Sequence, residues 1–474
     1  MTTTETDVGL VKVLTTRDIV VAGVGLVVAA TTLVSDFNGW FTLGSAFWWA
    51  LVLAFLINLF LGLSVAELAT TYPKAGAIYD YGAAAVPGTG SLAAVTGIFL
   101  AFSFYAMFAF AGPGETVAGA FGFQGLFNGS GAIWPWIVAM TILAVIPNLL
   151  GIEVLAKVEL VLIIGMLGIR WLFGLAGFAG LGETGAWSAA NWNAGIGIFD
   201  WSTVLAGGLA LAFWSFVGIE FVAPLAEEAK SPTRSLPRGI VIGLLIILFT
   251  SLLMGFGVGG TLPTSEWGAV AFGELGCEGQ CAQLAVGQTM FGGGGKFAMA
   301  LATFLATFAS MTIVYAAMPR VLYGVARNGH FFGPLSKVFG SVHPRYRTPW
   351  VAIVVTAVLY TAAAIAFQDV IELIFSAAYA WLVLYVGYHV MVITSRFTNP
   401  DVDRPFKLPL VMPVIGVLGT IVAIYYAFAG VHGLFGVRSI WIFVGSLVAA
   451  LAAYALRGSS GMAEHLAEEI HQEL

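Results

Sequence analysis

Long apolar stretches recur along almost the whole chain, and they restrict its fold more than any other feature. About twelve of them reach the ~20 residues that a helix needs to cross the hydrocarbon core of a bilayer. They lie at residues 19–42, 44–66, 92–120, 133–150, 154–179, 201–226, 239–260, 297–324, 349–367, 371–394, 409–431 and 439–456. Runs of this length indicate helices, because a helix satisfies its backbone groups within one segment. The sequence therefore predicts an all-α polytopic membrane protein with about twelve transmembrane helices.

Composition and missing motifs exclude several functional classes. Only 9% of the residues are charged, whereas a typical soluble domain has about 25%. The formal net charge is −6, and no basic stripe is present that would neutralise nucleic-acid phosphates. Neither a phosphate-binding P-loop nor a zinc-binding His-Glu-x-x-His pattern occurs. We therefore expect a membrane protein in contact with lipid that is not an enzyme and needs no metal or other cofactor.

The distribution of basic residues predicts the orientation. With twelve spans, most of the 19 lysines and arginines fall on the side that holds both termini. Loops rich in these residues stay in the cytoplasm. We therefore predict a multi-pass protein of the cell (inner) membrane with both termini cytoplasmic. The predicted divisions are a cytoplasmic segment (1–17), a ten-helix core (18–396), two further helices (397–457) and a cytoplasmic tail (458–474).

Two of the apolar stretches contain residues that weaken a helix near the middle of the membrane. The first stretch contains the run 29–32 and then Asp36, and the sixth contains Gly218 and Glu220 ahead of Pro224. Transporters use such interrupted helices to offer free backbone groups to a substrate at the bilayer midplane. Ordinary close packing of small residues between helices is the structural alternative.

Four motifs occur in a characteristic order. They are AELATTYPKAGAIY at 66–79, FWSFVGIE at 213–220 followed by EEAKSPTRSLPR at 227–238, PRVLYGVARNGH at 319–330, and RPFKLP at 404–409. Through these motifs the chain resembles the amino acid–polyamine–organocation transporter superfamily over nearly its whole length. The resemblance implies a leucine-transporter-like fold, in which the first ten helices form two inverted five-helix repeats and helices 1 and 6 are unwound at their centres. It also implies a permease that moves a small amino acid or amine by alternating access, coupled to protons or to exchange.

Two positions depart from the family pattern. The family places glycines at the helix 1 break, where free amide groups receive the substrate carboxylate, but this chain has alanines and threonines at 29–32. Some relatives carry a lysine in helix 5, where the aligned residue here is Met166, with Arg170 one turn further on. An alternative substrate is therefore an amine, such as ethanolamine or a polyamine, that is not recognised through an α-carboxylate. An ion channel is the alternative from another functional class.

The residues at these breaks provide the candidate site. The predicted substrate-binding residues are Ala29, Ala30, Thr31, Thr32, Trp214, Phe216 and Gly218. The residues predicted to act in gating or proton coupling are Glu220, Asp36, Glu115 and Arg170, because ionisable groups inside a membrane are rare and often functional. The expected ligands are the small amine or amino acid and H⁺, with the protein acting as a monomer or homodimer.

Each candidate also has a structural interpretation. Glu220 either responds to protons and substrate charge or binds loose amides at the break, and Trp214 either contacts an ammonium group or is a packing residue. Asp36 either attracts an amine or caps the second half of helix 1. Arg170 is either a counter-ion for Glu115, Glu220 or a substrate carboxylate, or it snorkels to the outer interface.

Four further expectations concern residues elsewhere in the chain. We expect Glu67 to pair with an arginine or lysine, and His389 either titrates near neutrality or is a satisfied core residue. Ser310 and Thr312 lie where sodium-coupled relatives supply hydroxyl ligands. Cys277 and Cys281 either form a small disulfide in an outer loop or remain thiols.

Overall fold

The helices account for nearly all of the regular structure. The computed structural model describes residues 10–87, 90–193, 201, 204–262, 266, 281–429 and 433–457. The helices in chain order are α1 (Thr16–Val27), α2 (Ala30–Leu43), α3 (Phe47–Thr71), α4 (Ile78–Ala84), α5 (Ser91–Leu126), α6 (Trp134–Leu150), α7 (Ile152–Phe178), α8 (Ala189–Asn193), α9 (Leu209–Trp214), α10 (Pro232–Gly259), α11 (Ala282–Arg327), α12 (Leu335–Phe339), α13 (Trp350–Ala366), α14 (Val370–Thr398), α15 (Val411–Ala429) and α16 (Gly433–Ala455). Within the described ranges, β-structure is limited to one isolated bridge between Leu14 and Ala229.

Several helices are long and apolar enough to cross a membrane. Six meet this criterion among the described residues, and the bent pair α1–α2 makes a seventh if it is counted as one span. Four shorter apolar helices of 10–17 residues accompany them. The chain is therefore an all-α, multi-pass membrane protein. The total of twelve spans, the inverted repeat and the proposed divisions of the chain remain predictions.

The first apolar stretch is broken between α1 and α2. Val28 and Ala29 separate the two helices, which meet at an angle of 55°. Ala29 is extended, with φ −69° and ψ 170°. The Thr32 hydroxyl donates a hydrogen bond to the Val27 carbonyl, so a side chain takes a backbone acceptor at the end of α1 and helps to end that helix.

The sixth apolar stretch is broken as well. After a π-helical turn (Val204–Gly208), α9 ends at Trp214, and a 3₁₀ segment (Ile219–Glu228) follows. Gly218 joins the two parts with φ +116°, a left-handed conformation that only glycine adopts at little cost. Both predicted interruptions are therefore present in the backbone.

Buried ion pairs bind the helices together on the face where the described chain begins and ends. The Leu14 amide donates to the Glu228 carbonyl, and the Leu456 carbonyl lies against Gly333. On this face Arg320 Nη2 lies 3.0 Å from Glu228 Oε1, and both side chains are only 1% exposed. We call this end of the molecule the terminal face. It is the face that the basic residues predict to be cytoplasmic.

Two further pairs join the terminal face. Arg327 donates two hydrogen bonds of 3.0 Å to the Glu227 carboxylate, which also accepts from the Ala75 amide. Arg396 pairs with the buried Glu67, as the sequence predicts. Together these pairs connect α3, the 3₁₀ segment, α11 and α14.

The buried Glu228–Arg320 pair provides a test of this packing. Removing one partner of a buried ion pair costs about 3–5 kcal/mol, because the other charge is left buried and alone. We expect Arg320→Ala to lower the apparent melting temperature of the detergent-solubilised protein strongly. Arg327→Ala is the matched control, because its pair with Glu227 is 26% and 21% exposed, and such pairs contribute about 0–1 kcal/mol. Equal losses in the two variants would contradict the interpretation.

Candidate functional site

The start of α2 presents two backbone amides that a carboxylate occupies. The first amides of a helix have no partner within the helix and attract anions. Here the Ala30 N–H donates to Glu115 Oε1 and the Thr31 N–H donates to Glu115 Oε2, both at 2.9 Å. Glu115 lies in α5 and is 3% exposed. A side chain 85 residues away therefore caps the helix that begins at the break.

The same carboxylate joins α2 to α11. Thr307 donates a hydrogen bond of 2.6 Å to Glu115 Oε1, and Ser310 donates another of 2.9 Å to the same oxygen. Four donors from two helices thus converge on one carboxylate. Ser310 and Thr312 lie where sodium-coupled relatives supply hydroxyl ligands; here the Ser310 hydroxyl bonds Glu115, and the Thr312 hydroxyl bonds the Phe308 carbonyl of its own helix.

Arg170 donates a hydrogen bond to the backbone at the α1–α2 break. Its Nη2 donates a hydrogen bond of 2.9 Å to the Ala29 carbonyl, while its Nε has no acceptor. The side chain is 1% exposed, so the prediction that it snorkels to an interface is wrong. A contact ion pair with Glu115 or Glu220 is also absent among the described residues. Arg170 instead bonds the Ala29 carbonyl, which also accepts the first backbone hydrogen bond of α2, from the Leu33 amide.

Asp36 connects α2 to the two neighbouring helical segments. Its Oδ1 accepts from the Ser215 hydroxyl just after α9, and its Oδ2 accepts from the Ser251 hydroxyl of α10 at 2.8 Å. Asp36 is the seventh residue of the 14-residue helix α2, nearly two turns from its start, so it does not cap this helix as the structural alternative predicted. The carboxylate is held by two neutral hydroxyls.

Trp214 joins the two breaks directly. Its indole Nε1–H donates to the Thr31 hydroxyl at 3.1 Å. Its ring lies perpendicular to that of Trp381 in α14, with 6.1 Å between centroids. Phe216 is fully buried, and its ring lies 6.0 Å from Phe55 of α3. The contact that the structure gives Phe216 is thus helix packing, and its predicted role as a cover for the solute remains a prediction.

Glu220 accepts three hydrogen bonds just beyond the second break. The Gly218 amide donates at 3.1 Å and the Tyr385 hydroxyl at 3.0 Å to Oε2, while the Trp381 indole donates to Oε1. Neutral groups hold this fully buried carboxylate, and the ion pairs of the described residues do not include it. The bond from the Gly218 amide is the structural alternative of the sequence analysis, and a response of Glu220 to protons or substrate charge remains a prediction.

The sequence analysis missed several residues that complete the site. Trp381 and Tyr385 hold Glu220, and Ser251 and Thr307 hold the other two carboxylates. Each is a common residue type in a span, so the sequence carried no signal for these roles.

Glu159 of α7 was also not predicted as a site residue, although the sequence does carry a signal for it. It is an acid within a predicted span and could have been found by its position alone. The structure places its carboxyl against Gly25 of α1, where neither oxygen has a hydrogen-bond partner. It is 1% exposed, and a buried carboxyl without any donor or cation is unusual.

The remaining predictions have simpler outcomes. His389 is a buried core residue whose Nδ1 shares a hydrogen bond with Ser64, but its Nε2 has no hydrogen-bond partner, so it is not the fully satisfied core histidine of the sequence-based alternative. Cys277 lies outside the described residues, and Cys281 is not a free thiol. Among the residues that the structure describes, groups of three or more metal-ligating side chains are absent.

The interior beside the first break is tightly closed. The space next to Asp36 and Arg170 is too narrow to admit a water molecule. Trp40 and Phe37 of α2 and Met254 of α10 are among the residues that line it. A solute does not fit into this space as it stands.

Comparisons with known proteins agree with this architecture. Residues 14–458 match a family described as amino acid permease. The branched-chain amino acid permease of Bacillus subtilis is 25% identical over 419 residues, which cover 84% of this chain and 83% of the relative. A vacuolar cationic amino acid transporter of Arabidopsis thaliana is 28% identical over 220 residues, covering 45% of this chain and 33% of the relative. A methylthioribose transporter of Bacillus subtilis is 25% identical over 259 residues, 52% of each chain.

Gly218 provides a test of the second break. A Cβ atom here would approach the Leu26 side chain to 2.8 Å in a left-handed conformation, which costs about 1–3 kcal/mol for other residues. We expect Gly218→Ala to lower the apparent melting temperature and to abolish solute uptake. Gly168→Ala in α7 is the matched control, because its Cβ would meet no atom within 4 Å. A Gly218→Ala variant as stable and active as this control would show that the break does not require glycine.

Proposed function

Because this chain belongs to the amino acid permease family, we propose that it is a secondary transporter for a small amino acid or amine, working by alternating access. The observation that carries the proposal is the contact between the two broken helices. Thr31 beside the first break accepts a hydrogen bond from Trp214 beside the second. The two broken helices therefore meet at one place, and this arrangement suits a small polar solute at mid-membrane.

The names of the relatives favour solutes that carry an amino group. Two of them are transporters of branched-chain or cationic amino acids. The similarity to a methylthioribose transporter means that family membership alone does not fix the solute. The chemistry of the break does favour an ammonium group, since Asp36, Glu115 and Glu220 are buried there against the single buried guanidinium of Arg170.

We propose that transport is coupled to protons and that Glu159 is the proton-carrying group. Glu220 is held by three donors, so moving a proton onto it disturbs existing hydrogen bonds. Glu159 has no donor to lose, and it lies against α1 close to the break. In this proposal Glu220 responds to the charge of the solute. Exchange of one solute for another is the alternative mode.

The rest of the proposal follows from the family and from the basic loops. The protein functions in the cell membrane with the terminal face towards the cytoplasm, as a monomer or homodimer. In this proposal the ion pairs of Glu228 and Glu227 on this face separate when the solute is released on that side.

Transport itself is tested with purified protein in proteoliposomes. We expect uptake of a labelled amino acid or amine that saturates with solute concentration and shows counterflow when unlabelled solute is trapped inside. Saturation follows from one solute site per conformational cycle. Ion currents without saturable solute uptake would contradict the transporter and indicate a channel.

Proton coupling is tested with Glu159→Gln in the same liposomes. We expect the rate of uptake by the wild type to rise when the solution outside the liposomes is acidic. The variant should lose this rise, because glutamine cannot carry the proton. The folded state should persist, since the carboxyl has no hydrogen bond to lose. Glu153→Gln is the matched control, an exposed acid on the same helix. An unchanged pH response in Glu159→Gln would reject this role for Glu159.

A further inference from the structure

The α1–α2 break is already filled by groups of the chain itself. Where α2 begins, Glu115 takes the Ala30 and Thr31 amides, which are the groups that would bind an incoming anion. Just before α2 begins, Arg170 donates to the Ala29 carbonyl, which also accepts from the Leu33 amide. An internal carboxylate therefore occupies the free amides of the break, and an internal guanidinium lies beside it on the adjoining carbonyl.

The donors around Glu115 are all taken by its own carboxylate, so a second carboxylate has no donors to bind at this position. Besides the two amides, Thr307 and Ser310 donate to the same side chain. All four donors lie within 2.9 Å of its oxygens. A solute carboxylate placed here would lack donors and would face the like charge of Glu115, and such a juxtaposition costs several kcal/mol.

Arg170 offers no replacement site for an anion. Its side chain lines the same space as Asp36, so its positive charge already has an acidic neighbour. At the two breaks, the three buried acids Asp36, Glu115 and Glu220 outnumber the buried base Arg170. The imbalance attracts a cation and disfavours an additional negative charge.

We propose that Glu115 permanently occupies the carboxylate position of the break, so that this chain carries a primary amine without an α-carboxylate. The inference rests on the proposed function and specifies its solute class. The amine nitrogen binds near the acids of the breaks, with the Trp214 and Trp381 rings beside it. Glu115 is in this view a specificity-determining residue that rejects amino acids.

The first test compares each amino acid with the amine formed by its decarboxylation. Suitable pairs are phenylalanine with 2-phenylethylamine, leucine with 3-methylbutylamine, arginine with agmatine, and serine with ethanolamine. A ligand of the folded state raises its melting temperature. We expect an amine to stabilise the purified wild type and to be taken up into proteoliposomes with about 100-fold preference over its parent acid.

The second test empties the carboxylate position. We expect Glu115→Ala to lower the melting temperature, because two buried amides and two hydroxyls lose their acceptor. Acetate added at millimolar concentration should restore stability to the variant, whereas chloride at the same ionic strength should not. Glu153→Ala is the control for loss of an acid, and the wild type with acetate is the control for non-specific salt effects. If the alanine variant does not fold, Glu115→Gln, which keeps the side-chain shape, replaces it in the melting-temperature measurement.

The outcomes separate the two proposals. Amino acids that bind and are transported as well as their amines, or a Glu115→Ala variant that does not respond to acetate, would overturn the inference while leaving the transporter intact. A wild type that neither binds nor moves any member of the panel would overturn the proposed function itself. If Glu115→Ala accepts parent amino acids that the wild type rejects, the assignment of Glu115 is supported directly.

Discussion

The structure depends on how a membrane helix can be broken without leaving backbone groups unsatisfied. Lipid offers no hydrogen bonds, so every amide and carbonyl at a break needs a partner inside the protein. At the α1–α2 break these partners are Glu115 for the amides and Arg170 for a carbonyl. Because the two side chains come from α5 and α7, the break also fixes the positions of these helices. The free-energy cost of interrupting the helix is thereby offset by hydrogen bonds that also hold the neighbouring helices in place.

The sequence predicted the parts of the fold that depend on local pattern. The apolar stretches, the interruption near residues 29–32 and the one at Gly218 all follow from hydrophobicity and helix-weakening residues. The pairing of Glu67 also followed from its motif. Fold class and family could therefore be assigned from the sequence, whereas the number of spans and the internal repeat remain predictions.

The partners of the site residues could not be predicted because they are distant in the chain. Glu115 binds amides 84 and 85 residues away, and Trp381 reaches Glu220 across 161 residues. A single sequence contains no measure of such proximity. Arg170 illustrates the consequence, since both a snorkelling role and a direct ion pair were reasonable, yet the structure gives it a backbone carbonyl. Only the packing of α7 against α1 could decide this.

The account is tested most directly by a structure determined with the transported amine bound. We expect density for the solute beside Thr31 and Trp214, with the Glu115 carboxylate still on the Ala30 and Thr31 amides. A solute carboxylate on these two amides, with Glu115 turned away, would contradict the account.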